Sequence, residues 1–422
     1  MMRFSRALIP ALLAAWLYRG RHSFLNSIFT NPIPHLPDAY LYSGDALSSC
    51  ETLKAPDLKY CEDITFWDVH NGDNTEKRLI ITCDAGRKEW NTVMGPLQNP
   101  EPHGSLWVYS PSEDKHVRIV LDNYPAGHDF HPLGIEVYPS YSGNASNMYV
   151  VNHARDRTTI EQFVISPSSP SAKYVRTLTS PWFIAPNALA LTSPDSFYVT
   201  NDHVMTRRLS YVGHVLPLAE TLLTLPLSFA AHVTLDPNPA SESPIVSHSI
   251  AAPFIPFANG VSISPSGDEV AIASTSLSQI FFYERNATTN ELKYKSMEKV
   301  PFTTDNVNYD ESGALIVGGH PHFPTLASVA AKKADVAPSW VVALTPRTLG
   351  ESESESRTEF DSSVPLPAHQ KVPPPKNYEI QTLFQSNGNF FSSSSTGLRD
   401  LKAGKLYVAG LYADEGVLVC KV

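Results

Sequence analysis

Basic charge is scarce in this sequence. Against 42 Asp and Glu stand 32 Lys and Arg, the net charge is −10, and no basic stripe runs along any segment, which excludes a nucleic-acid-binding role. Cysteine is scarcer, at four in 422 residues. The even count permits two disulfides, but no Cys or His stands at the spacing of a zinc site. No apolar run is long enough to cross a bilayer as a helix: the segment 7–18, ALIPALLAAWLY, has a dozen residues where a span needs about 20. Long capped helical patterns are also missing beyond the N-terminus.

The N-terminal segment carries its own signal. Arg3 and Arg6 precede the apolar run and Arg19 and Arg21 follow it, the pattern of a signal peptide over 1–21. No small-x-small cleavage site follows, so a retained anchor that associates with a membrane or lipid surface is the alternative. Two glycosylation acceptors, Asn144-Ala-Ser146 and Asn286-Ala-Thr288, agree with entry to the secretory pathway, for a secreted or membrane-associated product. Residues 22–49 read as an irregular lead-in.

From residue 50 onward short strand-like runs recur between turn signals, and Pro is high at 35 residues. These include ITFWDV after Cys61, RLIITC at 78–83, SLWVYS at 105–110, VRIVLD at 117–122 and GIEVYP at 134–139. The chain reads as all-β. A weak repeat runs through MYVVNH, FYVTNDH, VAIAST, LIVGGH and LYVAGL, starting at 148, 197, 270, 315 and 406. Its spacing of about 45 to 50 residues where insertions are small matches a four-stranded propeller blade, and six such blades occupy 50–422. Residues 346–375 break the rhythm with an acidic, Ser-rich and then Pro-rich stretch, read as a disordered surface insertion.

The strongest local pattern is 257–285, FANGVSISPSGDEVAIASTSLSQIFFYER, with three strand runs and a turn at PSGD. Asn259-Gly260 at its start is ordinarily a turn, yet an Asn at the mouth of a strand pair also presents an amide oxygen. In a propeller, polar residues beside inner strands of different blades converge on the axis. Glu62, Asn187, Asn259, Asp305 and Asn306 each adjoin a strand-like run and all are oxygen donors, a set that suits calcium. Two carboxylates would only just neutralise the ion, which would stay a useful Lewis acid.

In order along the chain, CED at 61–63, FHPLGI at 130–135, VVNH at 150–153, APNALAL with FYVTNDH at 185–203, FANGVSISPSGDEVAIA at 257–273, TTDNV at 303–307, VGGHP at 317–321 and the Cys420 tail resemble the serum paraoxonase/arylesterase family of six-bladed propeller lactonases. The resemblance implies one catalytic calcium on the five donors named above. It also implies a ring-closing Cys50–Cys420 disulfide, with Cys61 and Cys83 either free or forming a second bridge. His153 matches one member of the family's His pair and is the candidate general base, with Asp305 assisting or attacking. The other His is replaced by Leu133, and His131, two residues earlier, is its candidate substitute. Asp202, His203 and His320 would support the ligands. A second, buried calcium would use Asp63, the Ile135 carbonyl and an Asp where this chain has Ala188, so it is short of one carboxylate. The expected activity is calcium-dependent hydrolysis of lactones or aryl esters. A calcium phosphotriesterase and a non-catalytic secreted calcium-binding propeller stay open as alternatives.

Overall fold

Alternating apolar runs need a partner on each edge and a neighbour on each face, and here they find both. The computed structural model describes residues 49–98, 103–347 and 377–422, with Ala14 and Tyr18 isolated ahead of them. The strands form six separate antiparallel-based sheets. In chain order the innermost strands are Cys61–Asn71, Pro132–Val137, Pro186–Ser193, Ala258–Ile263, Thr303–Tyr309 and Ser394–Asp400. Each packs against the inner strands on either side of it, which closes a ring. The fold is a six-bladed β-propeller; we number the blades I to VI by these strands.

Blade VI is composite. Ser394–Asp400, Lys405–Gly410 and Val417–Lys421 come from the C-terminal end, and Cys50–Leu53 supplies the outer edge. The register sets Cys50 opposite Cys420, and the two are disulfide-bonded, as the resemblance implied. Cys61 and Cys83 also face each other in register, between the first two strands of blade I, and they form the second bridge.

Six apolar clusters fill the six gaps between blades. The cluster between blades IV and V, for example, sets Phe282 against Phe302, Trp340 and Tyr378, all buried. Each such side chain contributes roughly 1.5–3 kcal/mol by burial. The repeat seen in the sequence is the second strand of a blade: Ser146–Asn152, Ser196–Asn201, Glu269–Ser274, Leu315–His320 and Lys405–Gly410.

One expected strand divides. VRIVLD at 117–122 is two strands, Lys115–Arg118 on the outer edge of blade I and Val120–Asp122 pairing in parallel with blade II. Buried Ile119 plugs the gap between them, its N–H donating to the Leu106 carbonyl. Two short helices, Leu216–Leu222 and Phe323–Ala330, sit in loops that follow second strands. No helix among the described residues is long and apolar enough to cross a membrane. The apolar segment 7–18, apart from isolated Ala14 and Tyr18, the lead-in up to residue 48, and residues 348–375 of the expected insertion lie outside the described residues.

Candidate metal centre on the propeller axis

Every inner strand carries the same irregularity near its start. The ladder steps over Glu62 in blade I, Leu133-Gly134 in II, Asn187-Ala188 in III, Asn259-Gly260 in IV, Asp305-Asn306 in V and Ser395-Thr396 in VI. A bulge sets two residues against one and re-aims their side chains. The five expected oxygen donors are all bulge residues. The second bulge position is crowded by the next blade. A Cβ on Gly260 would lie 2.6 Å from the Asn306 Cα, and one on Gly134 would lie 2.1 Å from the Asn187 carbonyl oxygen. Asn259-Gly260 is therefore no turn. Asn259 faces the axis, and Gly260 allows a close approach between blades.

Glu62, Asn187, Asn259 and Asp305 line one narrow cavity of about 40 Å³, with Asn306 bonded to Glu62 beside them. Four oxygens in this group are buried and have no hydrogen-bond partner among the described residues: Glu62 Oε2, Asn187 Oδ1, Asn259 Oδ1 and Asn306 Oδ1. Buried polar atoms are rarely left unpaired, and four acceptors from four blades, each without a donor among the described residues, are a set that a cation would fit. Burial, and then the nearby Asp63 and Asp305, push the Glu62 carboxyl well above its ordinary range, so positive charge at this point would relieve a crowd of like charges. Hard oxygen donors with few carboxylates fit calcium better than a softer metal.

A second ring supports the first. In each blade the last residue of the second strand pairs with the first residue of the inner strand, so whatever follows lies beside the bulge. In blades I to IV and VI those followers are Asp84, His153, Asp202, Thr275 and Leu411; in blade V the pairing runs one residue further, and His320, the last residue of its strand, holds the equivalent place. Asn187 Nδ2 donates to Asp202 Oδ2 at 3.4 Å, Asn259 Nδ2 donates to Thr275 Oγ1 at 3.0 Å, and His320 Nε2 lies 2.8 Å from Asp305 Oδ2. Buried His203 is held between Asp202 Oδ1 and Thr221 Oγ1 and packs on Phe257. Most of the remaining lining is apolar, from Val93, Met94, Leu133, Phe257, Phe323, Leu326 and Leu411, with Asn91, Thr275 and His320 adding polar atoms.

Not every expected residue joins the cavity. His153 is buried with both ring nitrogens engaged: Nε2 lies 2.8 Å from the Pro186 carbonyl and Nδ1 lies 2.5 Å from Thr92 Oγ1. Burial pushes its pKa down to about 4. His131 turns to Asp84, Nδ1 to Oδ2 at 2.8 Å, while Leu133 takes the place on the cavity wall. Thr275 and Thr396 were missed by sequence reasoning. Thr275 ends the VAIAST repeat word as His153 and His320 end theirs, which is the signal that could have found it.

A family model described as Arylesterase matches residues 100–352. The chain belongs to the arylesterase family. Human serum paraoxonase/arylesterase 1 is 29% identical over 230 residues, covering 53% of this chain and 59% of that one. Chicken serum paraoxonase/arylesterase 2 is 28% identical over 194 residues, covering 46% and 50%. The chain spans about half the length of the relatives it matches. Among solved structures, a luciferin-regenerating enzyme aligns with a TM-score of 0.47 at 11% identity, covering 88% of this chain and 95% of that one. The periplasmic gluconolactonase of Pseudomonas aeruginosa aligns with a TM-score of 0.45 at 9% identity, covering 85% of each.

Within the arylesterase family resemblance, the expected second calcium fits this chain poorly. The Asp63 carboxylate is already met by donors: the Ile64 N–H at 2.9 Å and Thr396 Oγ1 at 2.8 Å on Oδ1, and the Ile135 N–H at 3.0 Å on Oδ2. Ala188 adds no side-chain oxygen. The Asp63 site is satisfied as it stands, in contrast to the orphaned oxygens of the first.

Proposed function

We propose that this chain is a calcium-dependent hydrolase of lactones and aryl esters. The observation that carries the proposal is the set of four buried, unpartnered oxygens from four blades, three on residues that line one cavity and the fourth on Asn306, which is bonded to Glu62; membership of the arylesterase family supports it. Glu62, Asn187, Asn259, Asp305 and Asn306 would hold the ion. When bound, calcium supplies Lewis-acid polarisation of a carbonyl and stabilisation of the developing oxyanion.

The chain's own residues do the rest. His320 directs Nε2 at Asp305, which leaves its Nδ1 without a partner among the described residues on a ring that lines the cavity. In this reading His320 Nδ1 takes the proton of the attacking water, and the Asp305 carboxylate stabilises the imidazolium. The expectation that His153 is the base is not carried forward, because both its nitrogens are taken and it holds the loop at Thr92. His131 is tied to Asp84 through Nδ1, its Nε2 has no partner among the described residues, and it does not line the cavity, so the reading gives the base role to His320. The apolar wall excludes water and receives the carbon skeleton of the substrate.

The exposed acceptors Asn144 and Asn286, the two disulfides and the N-terminal signal together support a secretory route. The deciding experiment is hydrolysis of a panel of lactones, aryl esters and phosphotriesters by the full chain, with and without a calcium chelator. Chelator-sensitive turnover of lactones or aryl esters is expected. Turnover confined to phosphotriesters would replace the substrate class. Calcium binding without turnover of any member would leave a non-catalytic propeller.

A further inference from the structure

The three amide donors share an orientation that the donor set alone does not explain: each oxygen is orphaned and each nitrogen is held away. An amide turned over by 180° would offer N–H groups where a cation needs oxygen. We infer that the hydroxyls of Thr275 and Thr396 fix the orientation of Asn259 and Asn306, and are positioning residues for the cation site. The inference rests on the calcium reading above.

A threonine hydroxyl has one proton. Thr275 Oγ1 donates it to the Thr304 carbonyl at 2.7 Å, so toward Asn259 the hydroxyl can only accept, and Asn259 Nδ2 donates to it at 3.0 Å. The same interaction ties Asn259 to the residue before Asp305, so one hydroxyl sets two donors from blades IV and V. Thr396 lies in the bulge of blade VI, which supplies no expected ligand. Its proton goes to Asp63 Oδ1 at 2.8 Å or to the Glu62 carbonyl at 3.0 Å. Toward Asn306 it too can only accept, and Nδ2 donates to it at 2.9 Å. The other N–H of Asn306 goes to Glu62 Oε1 at 2.9 Å. Both protons of that amide are thus committed, and its oxygen is left free. Both threonines are buried. For Asn187 the same task falls to Asp202, a carboxylate that can only accept.

The test compares the full-length wild type with Thr275→Val, Thr275→Ser, Thr396→Val and Thr396→Ser. Calcium affinity is read by titration calorimetry, melting temperature is read in chelator, and kcat and KM are read for an aryl ester across calcium concentrations. The Val variants are expected to bind calcium about 10–100-fold more weakly. Their calcium requirement should rise while KM for the ester at saturating calcium stays near wild type, and the Ser variants should restore affinity. Should a Val variant not fold, the Ala variant carries the same comparison. Wild-type affinity in folded Val or Ala variants overturns the inference alone. A wild type that binds no calcium overturns the calcium reading, and the inference with it.

Discussion

At the scale of single residues, what matters is which atoms lack partners. Glu62 is held at Oε1 by Asn306 and is open at Oε2. Glu62→Gln keeps the shape and an acceptor but loses the charge, and should weaken calcium binding at least tenfold by calorimetry while leaving the fold intact. His320→Gln tests the base: kcat for lactones should fall by a factor of about 10²–10⁴ with calcium affinity much less affected. If kcat holds, proton transfer does not run through His320. His153→Gln, by contrast, should act through the loop at Thr92. That Glu62, Asn187, Asn259, Asp305 and Asn306 stand near the starts of inner strands was legible in the sequence because each adjoins a strand run. The state of His153 was not, because its partners come from the Trp90–Thr92 loop and from Pro186, which no spacing in the sequence brings together.

At the scale of elements, the repeat words in the sequence mark the second strand of each blade, since those strands are buried on both faces and read as continuous apolar runs. The inner strands were harder to see. Their bulges break the period-two pattern at the point where function is placed, so Asn259-Gly260 looked like a turn. The division of 117–122 between two blades was also invisible, because alternation alone does not say which sheet a strand joins. Blade III carries a consequence of its own. His232 and His248 lie on neighbouring strands, and burial pushes each down to about 4. A group whose folded pKa is depressed adds stability above its unfolded pKa, near 6.5, and loses it as pH falls toward the folded value. The melting temperature should therefore drop between pH 6.5 and 4. Replacing both histidines with glutamine should flatten that drop; an unchanged slope would show that other groups set it.

At the scale of the whole molecule, the two disulfides have different tasks. Cys50–Cys420 closes a loop of 370 residues, for which chain-entropy arguments give about 6 kcal/mol, and Cys61–Cys83 closes one of 22, worth about 3 kcal/mol. Removing the first with paired Ser substitutions should lower the melting temperature more. Removing the second should cost more calcium affinity, since it pins the strand end that carries Glu62. Equal calcium affinity in the two variants would show that the inner bridge does not steady the donor. The propeller class and its six-fold count were readable from composition and repeat length. The closing of the ring through Cys50 and Cys420 was readable only through family resemblance, because the two residues stand at opposite ends of the chain.

That closure makes the backbone between residues 50 and 420 a covalent circle. A single protease cut anywhere on the circle opens it without releasing a fragment. The nicked protein should run as one band without reductant and as two with it. While the bridge stands, an isolated scission leaves the six blades tethered in order, and loss of a piece requires a second cut.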